Sequence, residues 1–434
     1  MTDHSDAGHR SWQQILLNRH MLICIFQGFS SGMPLYVLIQ LIPAWLRTEG
    51  VDLATIGLFT LVTLPYTWKF LWAPFLDRFS LPFLGRRRGW TLASQCLLLL
   101  CITQFGGVDP SVNLTAVAWL VFLTSLFSAT QDIVLDAYRR EMLADDELGT
   151  GNSIFINAYR VSSLVPGSLA FVLADLLPWG TVFWLVGLFM CVGMITTFLV
   201  PETADERIAP RSVREAVTEP FAEFFSRGGA KSALLILSFM LFYKLGDNMA
   251  VALQTPFFID IGFTLTEIGT VAKFVILGST IGGTLLGGLL MLKISINRAL
   301  WIFGFVQIIS IFGYAALAKI GNNLYALAAA TGLEYLGVGL GTVALTAFIA
   351  KQTSRRFTAT QFALLTSVTA VPRTFANATT GFIVEAIGYF NFFLLCVIVA
   401  IPGMLLLLAV APWSENDPNP QPGQAPGTDS PSSR

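Results

Sequence analysis

Apolar runs of roughly twenty residues follow one another along almost the whole chain, and no other feature restricts its fold as much. A helix rises about 1.5 Å per residue, so about 20 apolar residues cross the ~30 Å hydrocarbon layer of a bilayer. Twelve such runs are predicted, at about 21–42, 55–76, 90–107, 114–135, 153–174 and 180–200, then 233–257, 267–291, 298–317, 324–349, 360–384 and 388–412. Of the 434 residues 54% are hydrophobic and 12% charged, with a mean hydropathy of +0.67. Soluble domains carry about 25% charge, so the composition leaves an all-α polytopic membrane protein.

The charges orient the chain. Of 26 Lys and Arg, 19 fall in the segments that are cytoplasmic if both ends lie inside. Only Arg47 and Lys319 fall in the outer loops, and Lys69, Arg160, Lys244, Lys273 and Arg373 lie within the spans. The positive-inside rule therefore predicts cytoplasmic termini. The expected organisation is a cytoplasmic segment 1–20, a six-helix bundle 21–200, a central cytoplasmic loop 201–232, a second bundle 233–412, and a Pro/Gly/Ser-rich disordered tail 413–434. No cleavable signal is apparent at the start.

Six plus six helices around a long central loop is the plan of the major facilitator superfamily, in which two bundles flank a midplane cavity and rock to give alternating access. Residues 73–90, APFLDRFSLPFLGRRRGW, resemble that superfamily's loop between its second and third helices, with Asp77, Arg78, Arg86, Arg87 and Arg88 matching. Ala73 replaces the first glycine of the pattern. These residues and Arg139 are read as a cytoplasmic gate; placement by positive-inside topology alone is the competing reading.

Ionisable residues inside apolar spans are functional candidates, because facing lipid with them costs several kcal/mol. In SATQDIVLDAYRREML, Asp132 and Asp136 lie four apart on one helical face, with Arg139 and Arg140 at the span's edge. They are the candidates for proton coupling: a buried carboxylate can gain a proton on one side of the membrane and lose it on the other. Lys69, Arg160, Lys244, Asp247, Asn248, Glu334 and Arg373, with Tyr36, Tyr66, Trp68, Tyr159 and Gln254, are the candidates for the substrate path. Cations, amides and aromatics hold an acidic polar ligand by charge-assisted hydrogen bonds. The alternative is that these charges are pairs locking helices together or closing a gate. Lys273 is expected to snorkel from the outer end of its span, and Asp175 and Glu385 to be interfacial. Gly28, Gly32 and Pro34 are expected to soften the first helix, Pro65 to kink the second, and the eighth-span glycines to permit close helix contact.

The five cysteines lie in or beside apolar runs without metal spacing, and His4, His9 and His20 precede the first span. Neither metal, cofactor, nucleic-acid partner nor enzymatic activity is expected, since no nucleophile elbow, His cluster or zinc spacing occurs in the spans.

Several blocks, in order, make the chain similar to the AmpG-type muropeptide permeases of Gram-negative inner membranes. They are GFSSGMPL (28–35), KFLWAPFLDR (69–78), GRRRGW (85–90), SATQDIVLDAY (128–138), YKLGD (243–247), FTATQFALL (357–365) and GFIVEAIG (381–388). The resemblance implies proton-dependent import of N-acetylglucosaminyl-1,6-anhydro-N-acetylmuramyl peptides for peptidoglycan recycling, with a link to β-lactamase induction in some species. It maps the family's helical acids onto Asp132 and Asp136. The expected partners are muropeptide, protons and lipid, and a monomer is expected. Two departures stand out: the chain ends soon after its last span, and YVLIQLIPAWL is unusually apolar for a sugar-facing wall. A facilitator for another bulky anion, of siderophore or acyl-CoA type, is the alternative within transport. A non-transporting sensor is the alternative outside it.

Overall fold

The computed structural model describes residues 18–81, 84–143, 148–202, 213–352 and 358–413. Among these the backbone is helical apart from short connections and one isolated bridge between Leu81 and Gly85. The N-terminal half contains α1 (Arg19–Thr48), α2 (53–78), α3 (Arg86–Gly107), α4 (Leu114–Met142), α5 (148–174) and α6 (Trp179–Leu199). The C-terminal half contains α7 (Gly229–Asp260), α8 (Leu265–Leu290), α9 (Ile296–Ile320), α10 (Leu324–Gln352), α11 (358–387) and α12 (389–410).

Among the described residues nine helical stretches are long and apolar enough to cross a membrane. One of these, Thr374–Val410, runs through Gly388, whose φ of 75° lies in the left-handed region that favours glycine. Tyr389 meets Asp260 at one end of the molecule, whereas the carbonyl of Ala411 accepts from Trp301 near the start of α9. The chain therefore turns back at Gly388, and α11 and α12 are antiparallel.

Helix α2 reaches only a shorter apolar length, Leu53–Trp68, because 3-10 turns at Phe59–Thr63 and Lys69–Leu71 bracket the turn that holds Pro65. The expected interruption at Pro65 is present, and it is broader than one kink. Helix α1 runs unbroken through Gly28 and Gly32 but passes into a π turn at Val37–Leu41, just after Pro34. Those glycines serve packing: a Cβ at Gly28 would stand 2.4 Å from the Phe155 carbonyl oxygen, and one at Gly32 2.4 Å from that of Tyr159. Close approach of α1 to α5 requires both. On α8, Gly283 and Gly287 likewise meet α10, but Gly278, Gly282 and Gly288 face open space.

Apolar packing is unevenly distributed. The largest cluster includes Trp45, Phe105 and Phe183 from the N-terminal half and Phe257, Tyr314 and Phe393 from the C-terminal half. It closes the molecule at the end where Arg47 meets Asp260. A second cluster, around Phe239, Phe303 and Phe348, belongs to the C-terminal half alone. Leu285, Leu289, Ile309, Phe312, Leu405 and Leu408 are exposed on the outside, as lipid-facing positions must be.

The polar links follow the same asymmetry. The guanidinium of Arg47 (α1) donates to both carboxylate oxygens of Asp260 (α7), at 2.6 and 2.9 Å, and Tyr389 donates to Asp260 at 2.7 Å. Glu385 accepts from the Ala54 amide and Asp175 from the Thr266 amide, so both acids join the halves at this end. At the opposite, arginine-rich end Arg87 pairs with Glu141 and Arg139 with Asp136, both within the N-terminal half.

Candidate functional site

The first group of polar side chains lies in the N-terminal half. A cavity of about 360 Å³ is bounded by Ser31 and Tyr36 of α1, Asp132, Asp136 and Arg139 of α4, and Tyr159 and Arg160 of α5. Helical spacing sets Asp132 and Asp136 on one face, yet their surroundings differ. Asp136 has a half-exposed side chain between two cations, Arg139 at 2.8 Å and Lys69 at 3.7 Å. Asp132 lies one turn deeper, faces the cavity, and accepts from the Ser31 hydroxyl. Arg139 is held further by Asn152 and by the Phe155 ring beneath it. The Arg160 guanidinium borders the same cavity and pairs with no carboxylate among the described residues.

The second group lies between the halves. A cavity of about 370 Å³ is lined by Gln40, Asn248, Gln254, Lys273 and Tyr335 over an apolar floor that includes Leu38, Ile42 and Phe59. Three π-helical turns converge here: Val37–Leu41 in α1, Val165–Leu169 in α5 and Ile268–Ala272 in α8. Such turns add a residue to the helical ladder and re-aim side chains, and they recur at functional sites. Together they bring Gln40, Gly167 and Lys273 to one point.

Lys273 does not snorkel. It is 5% exposed, donates to Gln40 Oε1 at 2.9 Å, and sits 5.3 Å above the Tyr36 ring. The π turn immediately before it rotates the side chain inward. It pairs with no carboxylate among the described residues. Tyr36 lines the first cavity and Lys273 the second, so this contact joins them, and Tyr36 is also packed edge-on against Tyr159.

The third group is buried in the C-terminal half. Lys244 pairs with Asp247 at 2.7 Å and donates to Gln307 at 2.9 Å; Ser310 donates to Glu334 at 2.7 Å. Glu334 is fully buried and Asp247 nearly so. Nearby, Gln254 accepts from Tyr314 and Tyr335, and Asn248 donates to the Lys244 carbonyl, which orients both amides at the central cavity.

Other predicted residues are elsewhere. Tyr66 donates to Ser128, and Trp68 is about half exposed with no described contact to either cavity. Arg87 forms a bidentate pair with Glu141 (2.6 Å), while Glu202 accepts from the Arg87 and Arg88 amides and Arg88 donates to the Thr197 carbonyl. Arg86 also approaches Glu141, at 3.7 Å. These contacts tie α3, α4 and the end of α6 together within one half. The side chains of Asp77, Arg78 and Arg373 lie outside the described residues. Among the described residues no group of His, Cys, Asp and Glu gathers as metal ligands would.

Sequence reasoning passed over Ser31, Gln40, Gln307, Ser310 and Tyr335. Their shared signal is a hydrogen-bonding side chain in an otherwise apolar span, a weaker mark than charge.

The family model of the Major Facilitator Superfamily matches residues 24–371. An uncharacterised protein of Haemophilus influenzae is 46% identical over 93% of this chain and 97% of its own. The anhydromuropeptide permease of Escherichia coli K12 is 42% identical over 89% of this chain and 78% of its own. A putative transporter of Rickettsia conorii named AmpG 4 is 30% identical over 88% and 94%. The crystal structure of the nucleoside transporter NupG superposes with a TM-score of 0.70 at 12% identity, covering 90% of this chain and 98% of that one. A POT family transporter superposes with a TM-score of 0.70, also at 12% identity, over 91% and 96%. Both show a shared fold.

Proposed function

Because the chain belongs to the AmpG-type muropeptide permeases of the major facilitator superfamily, we propose that it imports anhydromuropeptides with protons across a bacterial inner membrane for peptidoglycan recycling. The observation that carries this reading is the pair of cations Arg160 and Lys273. Each borders a cavity and neither is neutralised by a carboxylate among the described residues. For the buried Lys273 the lack of a carboxylate partner costs several kcal/mol, Arg160 is only partly exposed, and a ligand's own carboxylate offsets the cost on binding. A disaccharide bearing peptide carboxylates suits this arrangement. Tyr36, Tyr159 and Tyr335 offer aromatic surface to the sugars and Gln254 and Asn248 offer amides, while Lys273 sits over the Tyr36 ring and Arg160 borders the cavity that Tyr36 lines.

Taking the arginine-rich end as cytoplasmic, twelve spans run between cytoplasmic termini, and residues 21–200 and 233–412 are the two bundles that rock. The end closed by Arg47–Asp260 then faces outward. Import requires those links to break and the arginine-rich end to close. In this scheme Asp132, held by one hydroxyl beside the substrate cavity, exchanges the proton. Asp136, clamped by Lys69 and Arg139, sets the field around it. The protein acts as a monomer and catalyses no chemical step.

The test is uptake of labelled anhydromuropeptide into proteoliposomes with an imposed inside-alkaline pH gradient. Accumulation abolished by a protonophore is expected, with Asp132→Asn lowering it at least tenfold and changing its pH dependence. Absence of uptake by folded protein would remove the substrate assignment and leave the fold. Uptake of an acyl-CoA-type or siderophore-type anion in its place would replace it.

A further inference from the structure

We infer that Glu334 of α10 and Asp247 of α7 hold one proton between them and form a second proton-carrying site, in the C-terminal half and distinct from Asp132. It rests on the reading of the chain as a proton-coupled transporter and extends it.

The geometry begins with four carboxylate oxygens. Glu334 Oε2 accepts from Ser310, and Asp247 Oδ2 accepts from Lys244. The remaining two, Glu334 Oε1 and Asp247 Oδ1, are buried and accept no hydrogen bond, and one chain of contacts joins their residues: Lys244, which pairs with Asp247, donates to Gln307, whose carbonyl accepts from the same Ser310 that donates to Glu334. Two ionised carboxylates present acceptors only. If both are ionised, these buried carboxylates leave both oxygens unsatisfied and add like-charge repulsion. One proton cures both defects: it forms an O–H bond on one carboxyl and donates to the facing oxygen of the other. The charges agree, because Lys244 neutralises one carboxylate and the proton the second. The charged and titratable groups facing the pair are Lys244 and Tyr243 from α7, Tyr314 from α9, Tyr335 from α10 and Cys396 from α12. Of these only Lys244 is a basic side chain, and it is ion-paired with Asp247.

The pair is placed to sense transport. Asn248 and Tyr335, which follow Asp247 and Glu334 directly in the chain, both line the central cavity. A ligand that shifts α7 against α10 separates the two carboxyls, ends the sharing and releases the proton to water. Loading and release are one O–H bond formed and one broken, with no other reactant.

Glu334→Gln mimics the protonated state, since its amide donates where the proton did. Reconstituted E334Q is expected to exchange labelled anhydromuropeptide for unlabelled within about twofold of wild type. Gradient-driven accumulation should fall at least tenfold and lose its pH dependence. Wild-type accumulation and pH profile in E334Q would overturn the inference, as would equal loss of exchange and accumulation in folded protein, the signature of a purely structural or substrate-binding role. A second readout needs no substrate. In infrared difference spectra after a pH jump, the wild type should show a titrating protonated-carboxyl C=O band that is absent from E334Q and shifted in Asp247→Asn. A band unchanged in both variants overturns the inference. Should E334Q fail to fold, D247N decides by its own band: shifted supports the pair, unshifted overturns it. Failure of the muropeptide assignment would leave this band in place.

Discussion

Lys273 of the C-terminal half donates to Gln40 of the N-terminal half across 2.9 Å, beside a Gly167 whose missing side chain leaves the room. A Cβ at Gly167 would stand 2.1 Å from Gln40 Oε1 and 3.1 Å from Lys273 Nζ. Three helices each spend a π turn on this meeting point. An amide oxygen compensates an ammonium only in part, so the contact is suited to yield when a carboxylate arrives.

Lys273→Gln should accordingly weaken binding of a carboxylate-bearing substrate while leaving fold and maximal rate near wild type. A hydrogen bond to a charged group contributes about 1.5–3 kcal/mol, which is about a 10- to 150-fold rise in KM. An analogue with amidated peptide carboxyls should show less than a threefold change. Equal sensitivity of both compounds would show that Lys273 holds the helices rather than the ligand.

The Arg47–Asp260 fork predicts a shift between conformations. Both side chains are partly buried and the pair is bidentate, so it should contribute about 1 kcal/mol or slightly more to the closed state. Asp260→Asn also weakens the Tyr389 contact. Labelling of a cysteine placed at Thr60, on the wall of the central cavity, by an impermeant thiol reagent added from outside should rise about five- to tenfold in this background. The cysteine at Thr60 should be far less reactive from that side in the parent protein. No rise would mean that the apolar cluster around Phe257 and Trp45 holds this end shut without the ion pair.

The seam between α1 and α5 predicts a stability effect. Gly32→Val places carbon 2.4 Å from the Tyr159 carbonyl oxygen and 2.5 Å from Ser162 Oγ, and backbone cannot move aside as a side-chain tip can. Overpacking of this kind costs about 1–3 kcal/mol or more. The melting temperature in detergent should fall by several degrees, and transport with it, because Tyr159 and Arg160 ride on the displaced helix. Gly288→Ala, which meets open space, should melt like the wild type.

Much of this was legible in the sequence because a bilayer leaves few options. Spans must be apolar and helical, and charges within them stand out. Asp132, Asp136, Lys69 and Arg160 do gather in or beside one cavity, and Lys244, Asp247 and Glu334 in one buried cluster. What sequence could not supply was direction. Lys273 was misplaced because a π turn rotates a side chain without altering the hydropathy pattern. Gln40 was overlooked because one amide barely lowers the hydropathy of YVLIQLIPAWL. The alignment of Glu334 with Asp247 depends on the register of α10 against α7, which no single-chain periodicity encodes.

Outside the spans, Asp52 caps α2: its carboxylate accepts from the Thr55 amide at 2.7 Å and from the Thr55 hydroxyl at 2.8 Å. The Thr55 amide bond is the main reason its carboxyl lies below the ordinary carboxylate value; partial burial opposes it, and the Thr55 hydroxyl adds to it. The sign follows from linkage: a group whose folded pKa is depressed contributes stability that is complete above the unfolded value, about 3.9, and is lost as pH falls through the lower folded value. Asp52→Ala should therefore cost about 1 kcal/mol at neutral pH, and the gap between mutant and wild-type melting temperatures should narrow below about pH 4. Asp52→Asn keeps an acceptor for the Thr55 amide and does not titrate, so it should retain most of the stability and show no narrowing. A gap between Asp52→Ala and wild type that stays constant down to the acid limit of the folded protein would mean that the carboxylate's charge plays no part in starting α2.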